Sequence, residues 1–218
     1  AEADGKMFSW IVLILPQLEQ GNLHAQFDFN VDVLNQPNEP QATSIKTLMC
    51  PSDPARNRFF EDATLTNNKR FAKGNYAAFV SPFHTDLQDE YPGGLSGHRK
   101  HRQVDIKDGT SNTLLCSEVR TRAQAQDQRG AWALPWTGAT ILSFDVHADG
   151  SATRNHYIPT SGGWGASQRP NELGPNVDMI RKCVDAAGAQ VERMPCGEYG
   201  PANWHYLSAA PRSQHRGG

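Results

Sequence analysis

Four cysteines, at positions 50, 116, 183 and 196, constrain this chain more than any other feature it carries. Only 38% of the residues are hydrophobic, and 19 Gly and 14 Pro break the chain into short stretches. Such a chain has little apolar surface to bury per residue, so covalent cross-links matter to its rigidity. An even cysteine count in a polar, loop-rich sequence is consistent with disulfides and an oxidising compartment. A zinc site of the usual spacing is absent, since the chain has no C-x-x-C and no paired His-x3-His. Cys183 and Cys196 flank a short segment, Val184–Pro195, able to turn back on itself, and we expect them to pair. By exclusion a second bridge would join Cys50 to Cys116; the alternative is two free thiols buried as small apolar groups.

Charge excludes other classes. The formal net charge of −2 gives no global case for nucleic acid or an anionic membrane. The local basic run His98-Arg99-Lys100-His101-Arg102 lacks interleaved aromatics and reads as a solvated loop. The longest apolar stretch, Phe8–Leu15, stops at Pro16, short of the roughly 20 residues of a spanning helix. It also lacks the basic flank and cleavage site of a signal peptide.

Along the chain, Trp10, Leu13, Ile14 and Leu18 follow helical spacing, and Pro16 divides a helix expected over Trp10–Phe27. Strands are expected at Ile45–Cys50, Asn75–Val80, Ala139–Phe144 and Ala152–Ile158. Val104 and Ile106 alternate with Asp105 and Lys107, Asp108-Gly109 makes a turn, and Thr113–Val119 resumes in extended form. Val177–Val184 reads as a short helix ahead of the cysteine loop. The expectation is one α+β domain over residues 1–218, with a short N-terminal helix packed on a small antiparallel sheet and long loops.

Several stretches in serial order carry a family resemblance. They are Leu15-Pro16-Gln17-Leu18-Glu19-Gln20-Gly21-Asn22, Cys50-Pro51-Ser52-Asp53-Pro54, Asn75-Tyr76-Ala77 and Ile106-Lys107-Asp108-Gly109-Thr110-Ser111-Asn112-Thr113-Leu114-Leu115. Glu118, Cys183, Met194-Pro195-Cys196 and Ser213-Gln214-His215-Arg216-Gly217-Gly218 complete the set. Together they resemble a family of planctomycete secreted, pilin-like proteins whose domain is of unknown function. Its members carry a prepilin-type N-terminal segment and end in His, nine residues, then Asp-Gly. Neither the N-terminal helix nor the final Asp-Gly strand is in this sequence, and Arg216 stands where the family has Pro. The resemblance implies a pilin-like fold and an extracellular, cell-surface or periplasmic location. It also implies self-assembly or contact with other surface proteins, and a membrane attachment only through the missing helix.

Catalytic signatures are missing: there is no G-x-S-x-G, H-E-x-x-H or P-loop. Asp145, His147 and Asp149, in Asp145-Val146-His147-Ala148-Asp149-Gly150, echo the opening of a calcium loop. His at its third position and His156 at its twelfth argue for a plain hairpin turn instead, so calcium is the one cofactor to test. Asp108–Thr113 reads as a turn that satisfies its own backbone, with ligand cradling as the alternative. Trp132, Trp136 and Trp164 lie in Gly/Pro-rich settings where a glycan platform could form, although Trp more often fills a core. Three functions follow, led by a non-catalytic structural or adhesive surface protein. An extracellular solute- or polysaccharide-binding protein comes second and a secreted polymer hydrolase third.

Overall fold

The computed structural model describes residues 5–53, 57–97, 102–144, 167, 169–174, 177–199 and 207–215. Within them the chain is α+β, with short elements joined by long connections. Helix α1, Trp10–Ile14, starts at Ser9, whose hydroxyl accepts the Val12 amide and donates to Trp132 O at 2.7 Å. Pro16 ends α1 by converting the next turn, Leu15–Leu18, to 3-10 geometry, and Glu19 closes it in the left-handed region. Helix α2, Gly21–His24, follows. The expected helix over Trp10–Phe27 therefore exists as three short pieces.

The inner faces of these turns enter the main core. Ile11, Val12 and Leu15 pack with Phe27, Phe60, Phe71, Trp132, Leu134 and Trp136, all buried. The hairpin β1 (Phe59–Phe60) and β2 (Phe71–Ala72) contributes three of the aromatic and aliphatic walls. A three-stranded sheet comes next. Strand β3, Tyr76–Ser81, lies between β4, Cys116–Glu118, which is antiparallel to it, and β5, Ile141–Ser143, which is parallel. The sheet is thus mixed where the sequence reading expected it antiparallel. Alternation along β3 puts Ala77 and Phe79 in a second core with Val119, Leu142 and Ala209. Tyr76, paired with Glu118, faces the other way.

Two expected strands do not form. Ile45–Cys50 forms a 3-10 turn over Lys46–Leu48, because the Asn75 backbone amide bonds Leu48 O and its side chain takes the Cys50 amide. The alternation at Val104–Lys107 is equally local: Gln103–Asp105 is 3-10, and Val104 is 75% exposed, so no apolar face was there to bury. Val177–Val184 contains strand β6, Asp178–Ile180, instead of a helix. The helix, α3, Ala186–Val191, lies inside the cysteine loop, capped by the Asp185 carboxylate on Gly188 N. It returns the chain to β7, Cys196–Glu198, parallel to β6, and Cys183 and Cys196 bridge with their Cα atoms 5.7 Å apart. The strand expected at Ala152–Ile158 and the basic residues His98–His101 lie outside the described residues.

Charge, more than oil, joins this β6–α3–β7 unit to the rest. Arg129, 2% exposed, donates to Asp127 at 2.6 and 3.0 Å, to Asp178 at 2.8 Å and to Met194 O at 2.8 Å. Arg212 grips the same Asp178 at 2.9 and 3.0 Å. Arg122, fully buried, reaches Glu192 at 3.0 Å and Val184 O at 2.6 Å. Desolvation is offset because each guanidinium is hydrogen-bonded on several sides.

Lys73 is the member with the least compensation. Its ammonium donates to Arg122 O and Gln124 O, at 2.9 and 3.0 Å. Burial pushes its pKa from 10.5 down to about 8, against the attraction of Asp127. Between those values the native chain has lost the proton while the unfolded chain holds it, so this group makes stability rise with pH. The expected gain is about 2–3 kcal/mol between roughly pH 7 and pH 10. Urea titrations of wild type and Lys73→Met across that range isolate it. A stability difference between the two that stays flat with pH would show that Lys73 is not desolvated in this way.

Candidate functional site

An opening with a volume of about 710 Å³ lies on the Phe79 side of the sheet. Its floor is the ring pair Phe79–Phe144, stacked with centroids 5.0 Å apart. Asp105–Asp108 and Asn112–Leu114 form one wall and Pro92–Gly94 the other. Gly93 is needed there because a Cβ would run into Phe79 O and the Val80 carbonyl carbon, at 2.6 and 2.8 Å. That close approach lets Gly93 N bond Val80 O at 2.8 Å and Leu95 N bond Phe79 O at 3.2 Å, which fixes the wall to β3.

The opposite wall is the expected Asp108-Gly109 turn. Gly109 has φ +80°, and Asn112 Nδ2 and Thr113 Oγ1 donate to Asp108 O and Gly109 O, both at 3.1 Å. The turn does satisfy its own backbone, as the amide- and hydroxyl-rich sequence implied. It also leaves Asp105, Lys107 and Asp108 on the cleft, facing an apolar floor. An aromatic floor with a few convergent polar groups is the usual make-up of a small-molecule site.

The tryptophans singled out from sequence are elsewhere. Trp132 is 1% exposed, donates to Thr43 O at 3.0 Å and meets Phe27 edge-on. Trp136 is 4% exposed, packs edge-on against Phe60 and lies under the Arg181 guanidinium. Both are core residues, because the Gly/Pro-rich loop around them folds inward over the N-terminal helix. Neither offers a free ring face to a glycan. Trp164, Asp145, His147 and Asp149 lie outside the described residues.

Cys50 and Cys116 are not bridged: Cys50 is buried and Cys116 exposed, each with a free thiol. Cys116 is held in β4 opposite Ala78, while the Cys50 sulfur turns toward the imidazole of His215, 3.3 Å from Nε2. On this second face of the sheet, stretches far apart in sequence meet. Asn75 ties them, accepting from Cys50 N at 2.9 Å and donating to Asp53 at 2.7 Å and Val119 O at 2.9 Å. Glu118 Oε1 is 3.1 Å from the same His215 Nε2. Burial pushes the Glu118 carboxyl up, but hydrogen bonds from Ser213, Cys50 and His215 outweigh it and hold the group below the usual carboxylate range. Burial, then the acidic neighbours Glu118, Cys50 and Cys116, pushes the Tyr76 phenol up. Nothing in the spacing of Cys50, Glu118 and His215 marks them as neighbours, and the sequence reading did not pair them. The only trace is that each lies in a short stretch of the family resemblance.

Comparison with curated proteins gives no match, and comparison with solved structures gives none either. A family model does match, over residues 1–218, under the label SBP_bac_10 and the description "Protein of unknown function (DUF1559)". Over residues 1–218 this chain belongs to that DUF1559 family.

Proposed function

We propose that the protein is an exported, non-catalytic binding module that takes a small ring-bearing solute, a saccharide unit above all, in the cleft over Phe79 and Phe144. The observation that carries this is the cleft itself: a stacked aromatic floor opposite Asp105, Lys107, Asp108 and Asn112. Sugar and aromatic rings need one apolar face to stack on and donors or acceptors at their edges, and this cleft supplies both. Phe144 is the half-buried ring and so the contact surface, while Phe79 supports it from beneath. The disulfide of the β6–α3–β7 unit agrees with export, since such bridges persist where the surroundings are oxidising.

Titration calorimetry against neutral mono- and disaccharides and simple aromatic solutes tests the reading. At least one class is expected to bind, with Phe144→Ala weakening it by roughly three- to tenfold, as stacking energies imply. Asp108→Asn should weaken a hydroxyl-bearing ligand further. Binding that ignores both substitutions, or no binding from either class, would remove the cleft as the functional site.

A further inference from the structure

We propose that Cys50, Glu118 and His215 form a zinc(II) site with three protein ligands, on the face of the sheet opposite the solute cleft. Their donor atoms, the Cys50 sulfur, a Glu118 oxygen and a His215 nitrogen, all lie within 4.8 Å of one another. The sulfur and the carboxylate oxygen stand 3.3 and 3.1 Å from His215 Nε2. Donors around a tetrahedral zinc, with bonds of about 2.0–2.3 Å, are separated by about 3.3–3.7 Å. The two contacts to Nε2 therefore need to lengthen by only a few tenths of an ångström to admit the ion.

The arrangement on the imidazole decides between a metal site and a nucleophile relay. In a Cys–His–carboxylate relay the thiol bonds one ring nitrogen and the acid the other, so that the acid orients the base. Here both acidic groups face Nε2, while Nδ1 points to Ser52 Oγ at 3.4 Å. One nitrogen, one sulfur and one oxygen thus surround a common point, and the Nδ1 proton has a hydroxyl to fix the tautomer that leaves Nε2 free to ligate. Thiolate with imidazole selects a borderline ion over calcium or magnesium, which take oxygen sets. A thiolate and a carboxylate also balance the two positive charges. On binding, the Cys50 thiol gives its proton to solvent.

Hydrogen bonds hold the segments behind the ligands. Cys50 and β4 are clamped by the Asn75 side chain, through Cys50 N and Val119 O. His215 is held by its own amide, which donates to Ser213 Oγ at 3.1 Å. The His215 side chain is 52% exposed and that of Glu118 22%, so the fourth coordination position opens to solvent. Three protein ligands and one open position are the make-up of a zinc with an exchangeable fourth ligand, not a closed structural one.

Metal-free protein with its disulfide intact, titrated anaerobically with cobalt(II) and then zinc(II), tests this. One equivalent of cobalt is expected to give a thiolate charge-transfer band and the visible bands of a tetrahedral ion, and zinc should displace both. Cys50→Ser should abolish the charge-transfer band and Cys116→Ser leave it unchanged. Because Cys50 is buried, the exposed ligand gives the cleaner variant: His215→Ala should keep its fold and lose at least about tenfold in affinity. No charge-transfer band in the wild type, a band lost in Cys116→Ser, or full affinity in His215→Ala each overturns the site. None of these outcomes bears on the cleft, which lies across the sheet.

Discussion

Asp178→Asn is expected to destabilise the protein by about 3–5 kcal/mol, the cost of stranding buried charges that have lost their partner. Asp178 is 1% exposed and receives both Arg129 and Arg212, and its Oδ1 also accepts Ala210 N at 3.1 Å. The amide keeps the shape but carries no charge and turns an N–H₂ toward one of two guanidiniums. Those guanidiniums cannot shed their charge, so the penalty falls on folding and not on protonation. Urea denaturation would show the midpoint falling with little change in slope. The exposed pair Arg102–Asp105 is the control, with Arg102 78% exposed. Arg102→Ala should change stability by no more than about 0.5 kcal/mol. An Asp178→Asn protein within about 1 kcal/mol of wild type would mean that the arginines find water or other acceptors, and that the network does not hold the C-terminal unit in place.

The second large effect concerns sulfur. Opening the Cys183–Cys196 bridge, by reduction or by Cys183→Ser with Cys196→Ser, should cost about 3 kcal/mol, from the loop entropy returned to the unfolded chain. For a chain of this size that corresponds to a fall in Tm of roughly 6–12 °C. The loss should appear first in the β6–α3–β7 unit, where hydrogen exchange would rise at the amides of Met194 and Tyr199, which donate to Ala189 O and Ile180 O. Alkylation followed by mass spectrometry gives the matching chemical result. Unfolded but unreduced protein should take label at Cys50 and Cys116 alone, and reduction should add Cys183 and Cys196. Label on all four without reduction would dispose of the bridge, and with it the physical case for an oxidising compartment.

The two cysteine pairs also show what a sequence can carry. Cys183 and Cys196 are close along the chain, so almost any compact path of Val184–Pro195 brings them near each other. Cys50 and Cys116, far apart along the chain, are under no such constraint. Which groups Cys50 meets is set by Asn75 and by the C-terminal segment carrying His215, neither of which its own neighbours specify. Trp132 and Trp136 teach the same lesson in reverse: a Gly/Pro-rich setting describes a turning backbone, and says nothing of whether the turn faces water or the core.

Residues acting on neighbours a few positions away were therefore legible from the chain alone. Pro16 breaks the first helix, Asp108-Gly109 turns, the strand expected at Asn75–Val80 forms at Tyr76–Ser81, and the short loop closes on its disulfide. Tertiary structure alone decided the rest: β3 lying parallel to β5, the arginines sharing Asp178, the Phe79–Phe144 cleft and the convergence of Cys50, Glu118 and His215. The division has one physical cause. A turn or a cap draws its energy from atoms within about one turn of chain, whereas a buried charge or a ligand set draws it from partners whose proximity exists only once the whole chain has folded.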